Sequence, residues 1–328
     1  MRAVHWWEEA GCLLAGCTDE KVIAFDLDPT GSPPSSGDQR WVFVSEMAPW
    51  LYTHQASHWW KEAGPHHAGI HSLNSLPFLE RDGTQAIVGS ASTVEILDAE
   101  GELLHRAEQV WGDVVYSALT PRSDGSHDLL SLRRPSLTTR VNDVPEGHSD
   151  IKSWGGRRYH LFNEDLAGEG VKRVVSEVNG PWDRVGIWDE SGEPLYSAPF
   201  GAGSLAARSL RDVDVADLNG DGRKEILVGT YHGLVVALDC QCQRVWSTRL
   251  QSAPTVLKAI APGPDAPPWI VVGCEDGSVV ALDGGGKVIR QGSIEGRPEH
   301  ILEISRDGGP MAVLATTDGS ISSFEVRS

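Results

Sequence analysis

Basic residues are scarce in this chain: Lys and Arg total 28 against 46 Asp and Glu, a formal charge of -18. Nonspecific nucleic-acid binding depends on a surplus of cationic side chains, so this balance excludes a wholesale basic face, although not a local basic pocket. Long apolar runs are missing too. None approaches the roughly 18 residues of a membrane span, and the first twenty residues lack the basic end and apolar core of a signal peptide. The expectation is a cytoplasmic chain, or a secreted or periplasmic one whose leader has been removed. Cysteine is sparse and odd in number, at positions 12, 17, 240, 242 and 274. No paired CxxC zinc site results; the thiols read mainly as small buried residues, with Cys240 and Cys242 the one close pair. Convincing helices of ten residues are absent as well.

What is present points to β structure. Glycine (36) and tryptophan (12) are abundant, and the apolar residues fall in runs such as VIAF, AIVG, ILVG and VVAL, bounded by Gly, Asp or Pro. Such runs are too short for helices and suit buried strands. They also recur. Aligning the small residue that ends one strand before a turn gives Gly16, Gly89, Ser131, Ser176, Gly229, Gly273 and Ala315, with five of six spacings between 42 and 53 residues and one of 73. Each unit reads as four strands, A to D. In the sixth these are TVLKAIA, WIVVGC, SVVALD and KVIRQGS. Strands of this length at this period predict blades packed face to face, because isolated hairpins would leave far more apolar surface and strand edge uncovered.

The repeats resemble the FG-GAP (VCBS) and quinoprotein-like propeller families over nearly the whole chain, a likeness at the level of fold. The expectation is a single all-β domain over residues 1–328, a seven-bladed β-propeller of four-stranded antiparallel blades. Its last blade (HILEIS, MAVLAT, SISSFEV) is incomplete, and an insertion at about 47–70 separates the first two blades.

One turn has metal-ligand spacing. In DVDVADLNGDGRKEILVG, side-chain oxygens of Asp217, Asn219, Asp221 and Glu225 stand at positions 1, 3, 5 and 9, with Gly222 at 6 and the Arg223 carbonyl at 7. That pattern suits a hard cation taking six or more oxygens, and it resembles the FG-GAP calcium loop. The same residues also favour a metal-free Asx turn. The expected ion is a structural Ca2+.

The turns sort into two faces, A–B with C–D and B–C with D–A. Eight of the twelve tryptophans (6, 7, 50, 59, 60, 111, 154 and 182) map to the second face or its mouth. The same face collects Arg133 and Arg134, then Lys152, Arg157 and Arg158, and His54, His58, His66, His67 and His71 of the insertion. Glu275, Asp276, Asp318, Asp19 and Glu20 occupy the corresponding turns elsewhere. Indole faces stack on sugar rings and arginine forks grip carboxylates, so Trp59, Trp60, Trp111, Trp154, Arg133, Arg134, Arg157 and Arg158 are the expected substrate-binding residues. Structural packing and a solvated rim are the competing account.

The stretch HWWKEAGPHHAGIHS invites a zinc reading through His66, His67 and His71 with Glu62, yet adjacent histidines diverge in an extended chain and no HExxH helix is present. Acid–base chemistry suits it better, since a neutral imidazole beside arginines can act as a base near neutral pH. The architecture is similar to that of propeller-type polysaccharide lyases, although no family motif matches. That resemblance implies an arginine neutralising a uronate carboxylate while His66, His67 or His71, or Tyr159 with His160, removes the C5 proton. Two functions are therefore expected to compete: recognition, with eliminative cleavage as its catalytic form, of an acidic polysaccharide, or a non-catalytic module for a protein partner. A quinone-dependent dehydrogenase is disfavoured for want of a vicinal cysteine pair.

Overall fold

The middle strands of each repeat carry the apolar runs, and these are the strands removed from solvent. The computed structural model describes residues 3–26, 38–45, 69–79, 82–90, 93–108, 114–121, 127–133, 137–140, 157–179, 182–189, 192–202, 209–263, 266–306 and 309–326. Those residues form seven antiparallel sheets in which neighbours in sequence pair in space.

Sheet 1 contains β1 (Ala3–Trp7), β2 (Cys12–Gly16), β3 (Lys21–Asp26) and β4 (Gln39–Val44). Sheet 2 contains β5 (Ser72–Leu76), β6 (Gln85–Gly89), β7 (Thr93–Leu97) and β8 (Leu103–Glu108). Sheet 3 contains β9 (Val114–Pro121), β10 (His127–Arg133) and β11 (Leu137–Arg140). Sheet 4 contains β12 (Arg157–Asp165), β13 (Val171–Asn179), β14 (Trp182–Trp188) and β15 (Pro194–Ala202). Sheet 5 contains β16 (Leu210–Ala216), β17 (Glu225–Thr230), β18 (Leu234–Leu238) and β19 (Arg244–Arg249). Sheet 6 contains β20 (Pro254–Ile260), β21 (Trp269–Cys274), β22 (Ser278–Leu282) and β23 (Val288–Ser293). Sheet 7 contains β24 (Pro298–Arg306), β25 (Gly309–Thr316) and β26 (Ile321–Glu325).

These are β-propeller blades of four antiparallel strands, with a three-stranded last member. Among the described residues sheet 3 also shows three strands. The stretch after β11 that would supply its fourth, 141–156, lies outside the described residues. Sheet 7 ends on β26, whose sequence ISSFE places serines where the equivalent SVVAL of β22 has valine and alanine. Polar side chains suit a strand that has no outer partner among the described residues, because they blunt edge-to-edge pairing.

The chain separates into two compact units, Met1–Asp150 and Ile151–Ser328. In the first, β1 packs on β5 and β5 on β9; in the second, β12 packs on β16, β16 on β20 and β20 on β24. Apolar clusters fill the spaces between successive sheets: Leu14, Val22 and Ala24 meet Ala86 and Val88, and Leu227 and Val235 meet Ile270 and Val272. Second strands are therefore sandwiched on both faces, so β2 and β6 are buried at every residue while the outermost strand β23 is exposed throughout. Each fully buried Val or Leu contributes about 1.5–3 kcal/mol.

The repeating glycines follow from this packing. A Cβ on Gly229 or Gly273 would meet the proline that opens the next sheet, Pro254 at 3.1 Å or Pro298 at 2.6 Å, and one on Gly16 would meet Ile70 at 2.7 Å. The turns between third and fourth strands are likewise standardised. Asp98, Asp239 and Asp283 each accept two main-chain N–H groups on Oδ1, from residues two and four further along.

Two of these turns are clasped by a tryptophan from the preceding sheet. Trp41 on β4 donates its indole N–H to Ala99 O, and Trp246 on β19 donates to Gly284 O, both at 2.9 Å. Each ring lies against a glycine of positive φ, Gly101 or Gly286, where an added Cβ would come within 2.6 Å of the indole. Both tryptophans stand across from an alanine of the third strand, Ala24 or Ala237, which leaves them room. Between sheets 4 and 5 the arrangement differs. Cys242 takes the glycine position, with φ of 59°, and packs in one apolar cluster with the small Ala198 of β15. Burial pushes its thiol up to about 12, in keeping with a packing role. Cys12 and Cys274 are buried too, and all five cysteines are free.

Sheet 2 holds a buried ion pair across β7 and β8. Glu95 is fully buried and receives Nε and Nη2 of Arg106, each at 2.9 Å.

Candidate functional site

The inner strands of the second unit share a local irregularity. Regular pairing between first and second strands breaks at Arg158/His160, Leu210/Asp212, Pro254/Val256 and Pro298/His300. Each break leaves one extra residue, Tyr159, Arg211, Thr255 or Glu299. Sheets 1 and 2 pair without a break here. A β-bulge kinks its strand and re-aims a side chain, and bulges concentrate beside functional sites.

The residues just past the bulges are His160, Asp212, Val256 and His300, facing Ser176, Gly229, Gly273 and Ala315 in the register. Three of these four are titratable, and two of them, His160 and Asp212, are in direct contact. His160 Nδ1 lies 2.8 Å from Ser176 Oγ, and its Nε2 lies 3.1 Å from Asp212 Oδ1. The other oxygen of Asp212 accepts Leu257 N–H at 2.7 Å. His300 has a buried Nε2 without a hydrogen-bond partner. Burial lowers its pKa to about 4, against the opposing pull of Asp212, so it is neutral near pH 7. A second tier follows two residues on, where Asp214 receives Ala259 N–H at 2.8 Å and Lys258 Nζ at 3.1 Å.

A Ser–His–Asp series invites comparison with a nucleophilic triad, but the geometry speaks against attack by this serine. Ser176 is 2% exposed, so no substrate reaches its hydroxyl. Both His160 nitrogens already have partners, so a base role requires one to be released. What the cluster does is tie polar groups of neighbouring sheets to one another.

The mouth of this unit is formed by B–C turns of a single design. Thr230–Gly233, Cys274–Gly277 and Thr316–Gly319 each close through a glycine N–H to the carbonyl three residues back, with that glycine at positive φ. The central pairs differ: Glu275–Asp276 and Thr317–Asp318 in two turns, Tyr231–His232 in the third. Beside Tyr231 stands the bulge residue Arg211, its guanidinium carbon 4.8 Å from the ring centroid and its Nη2 bonded to Glu275 Oε1 at 2.9 Å. Sequence reasoning missed Arg211, since strict two-residue alternation through LRDVDVA hides the extra residue. The aromatic Tyr–His in a series of acidic turns was the available signal.

Of the expected residues, His160 is brought into the cluster above. Tyr159, Arg157 and Arg158 lie on β12 and Arg133 ends β10, with only their main chains described. His71 is partly buried, its N–H donating to Gly89 O. His66, His67, Trp59, Trp60, Trp111, Trp154 and Arg134 lie outside the described residues. Trp6 and Trp7 require a correction. They end β1, where Trp7 pairs with Cys12 beside the A–B turn, so they sit at the end of sheet 1 away from its B–C turn. Trp7 is 1% exposed and bonds Thr84 Oγ1 at 2.7 Å, a packing role at the edge of sheet 2.

The proposed calcium loop closes on its own hydrogen bonds. Asp217 accepts the amides of Gly220 and Gly222, Asn219 that of Asp221, and Asp221 that of Arg223. Desolvation works against it, but the amides of Gly222, Gly220 and Asn219 hold the Asp217 carboxyl below its usual value. Glu225 is buried and bonds Leu218 N–H at 2.9 Å; burial first, then Asp221 and Asp217, push its pKa up. Among the described residues no three His, Cys, Asp or Glu side chains converge closely enough to hold a metal ion. No helix among them is long and apolar enough to cross a membrane.

Residues 202–295, which contain all of β16 to β23, match the family model described as the lambda-carrageenase beta-propeller domain. No curated protein sequence matches the chain. Two solved structures of BBS1N in complex with ARL6DN are similar to it. The crystal soaked with lead gives a TM-score of 0.65 at 12% identity over 98% of this chain and 91% of that one, and the crystal soaked with mercury 0.67 at 11% over 98% and 90%. At that identity the likeness is one of fold, and the fold is a β-propeller.

Proposed function

We propose that this β-propeller recognises an acidic polysaccharide, uronic-acid polymers being the first class to test, on the face formed by its B–C turns. The observation that carries the reading is the match of residues 202–295 to a carrageenase propeller domain. The Arg211–Tyr231 pair on that face supports it, because an arginine and an exposed aromatic suit an anionic sugar. Eliminative cleavage is the catalytic extension of the proposal. An arginine of the set 133, 134, 157 and 158 would neutralise the carboxylate, and His66, His67, His71, or Tyr159 with His160, would take the C5 proton; the C4–C5 double bond then forms as the C4–O glycosidic bond breaks, and the departing sugar oxygen is protonated from that same group or from water.

The test is to pass the protein over immobilised uronic-acid polymers and lambda-carrageenan while following far-ultraviolet absorbance of an unsaturated product. Retention on at least one polymer is expected. Neither retention nor absorbance on any of them would favour the second reading, a propeller that docks a protein. That reading draws on the BBS1N structures, which hold a protein partner, and on exposed apolar residues of outer strands such as Val245, Val288 and Ile289.

We further propose that the Asp217–Glu225 loop takes Ca2+. The support is its oxygen-only donor set and EF-hand-like spacing. Added Ca2+ is expected to raise the thermal midpoint by a few degrees and EGTA to reverse it, as for any ligand of the folded state. Asp217→Ala should abolish the Ca2+-dependent shift. A midpoint unmoved by millimolar Ca2+ means the loop is an Asx turn that needs no ion.

A further inference from the structure

We propose that the turn Thr230–Gly233, together with Arg211, is a subsite in which Tyr231 stacks on a sugar ring and Arg211 pairs with that sugar's anionic substituent, a sulfate or carboxylate. The inference rests on the polysaccharide reading above and assigns it a place.

Three observations lead there. First, this turn breaks the pattern of its neighbours, carrying Tyr231–His232 where they carry Glu275–Asp276 and Thr317–Asp318. Second, Tyr231 is 40% exposed, a large aromatic left in water at the tip of a rigid hairpin. Its N–H is tied to Ser209 O at 2.8 Å, and Arg249 Nη1 holds His232 O at 3.2 Å, so the platform is fixed before any ligand arrives. His232 meets the Tyr231 ring edge-on, with centroids 5.7 Å apart. Third, the bulge between Leu210 and Asp212 delivers Arg211 beside that ring, where the guanidinium uses one of its five N–H donors on Glu275. Its Nε is buried, without a hydrogen-bond partner among the described residues, so the Nη groups are the ones left to meet a ligand.

Of the nearby acids Glu275 already takes one N–H of the Arg211 fork, so a sugar anion must use the N–H groups that remain. Glu275 is engaged with Arg211 and sets the plane of the fork, and Asp276 is turned onto its own hairpin by Ser278 N–H at 3.0 Å and Ser278 Oγ at 2.6 Å. A chain of net charge -18 that presents a cation beside an exposed aromatic offers a local attraction for an anionic sugar against a generally repulsive background. A planar fork suits sulfate and carboxylate alike, and Tyr supplies stacking area at little entropic cost.

The experiment is binding of the full chain to lambda-carrageenan, as a sulfated polymer, and to polygalacturonate, as a carboxylated one, by isothermal titration. Wild type is compared with Tyr231→Ala, Tyr231→Phe, Arg211→Ala and Arg211→Lys, with the thermal midpoint of each recorded. Tyr231 lies in an exposed turn, so its variants keep the question open even where an Arg211 variant folds poorly. Tyr231→Ala and Arg211→Ala are expected to weaken binding at least tenfold, Tyr231→Phe to stay within twofold, and Arg211→Lys to fall between. The polymer preferred by wild type identifies the anion. Wild-type binding that both alanine variants retain within twofold overturns the subsite and leaves the polysaccharide reading intact. Binding of neither polymer by wild type overturns the reading and the subsite with it.

Discussion

Trp246→Ala is expected to lower the thermal midpoint by about 5–10 °C, the scale of a loss of about 2–4 kcal/mol in a unit of this size. The ring is partly buried between β19 and the turn of sheet 6, and its N–H satisfies Gly284 O, so truncation removes packing and strands an acceptor together. The partner variant is Gly286→Ala. Its φ of 83° disfavours any side chain, and the new Cβ would lie 2.6 Å from the indole. The two changes must couple. Once the indole is gone, Gly286→Ala should lose the part of its cost due to the ring and retain the backbone strain of about 1–2 kcal/mol and the approach to Thr248 Oγ1 at 2.9 Å. Denaturant melts of both single variants and the double variant check this; strictly additive costs would show that the tryptophan does not close on this turn.

The second large effect is a loss of stability in mild acid. Burial lowers both His300 and His5 from 6.5 to about 4 in the folded protein. For a depressed histidine the unfolded chain binds the proton first. Each contribution is therefore complete above pH 6.5, falls as pH drops towards 4, and levels off below. A displacement of that size corresponds to about 3 kcal/mol per group at most, and partial access to water reduces it to the order of 1–2 kcal/mol. Asp276, lowered chiefly by Ser278, and Asp318, lowered chiefly by Thr316, lose their stabilisation only below the unfolded carboxylate value of 3.8, so the two windows separate. Urea midpoints at pH 7.5, 5.5 and 4.5 should decline for wild type and flatten in a His5→Gln, His300→Gln double variant. An equal decline in the double variant would falsify the assignment.

Much of the fold was legible because each repeat repeats its physics. Gly16, Gly229 and Gly273 stand out in the sequence since the next sheet presses against them, and the sixth unit's strands fall where β20 to β23 lie. The site was less legible. Two-residue alternation tells which residues share a face but is blind to an inserted one, so Arg211 passed unnoticed and Asp212 with His160 carried no mark of their contact. Trp6 and Trp7 lie at the A–B end of sheet 1, because a strand's direction, rather than its composition, decides which end faces which turn. Most of the histidine-rich insertion lies outside the described residues, and its role rests on chemistry alone.

Cys242 shows how such repeats drift apart. Where the preceding sheet offers Trp246 with Thr248, the turn keeps a bare glycine; where it offers Ala198, the turn grows a thiol to occupy the vacancy. Neither position can change alone without a clash or a hole. Evolution of these near-copies must therefore proceed in matched steps across such seams, so that correlations run between one sheet's outer strand and the following sheet's turn more than within a sheet.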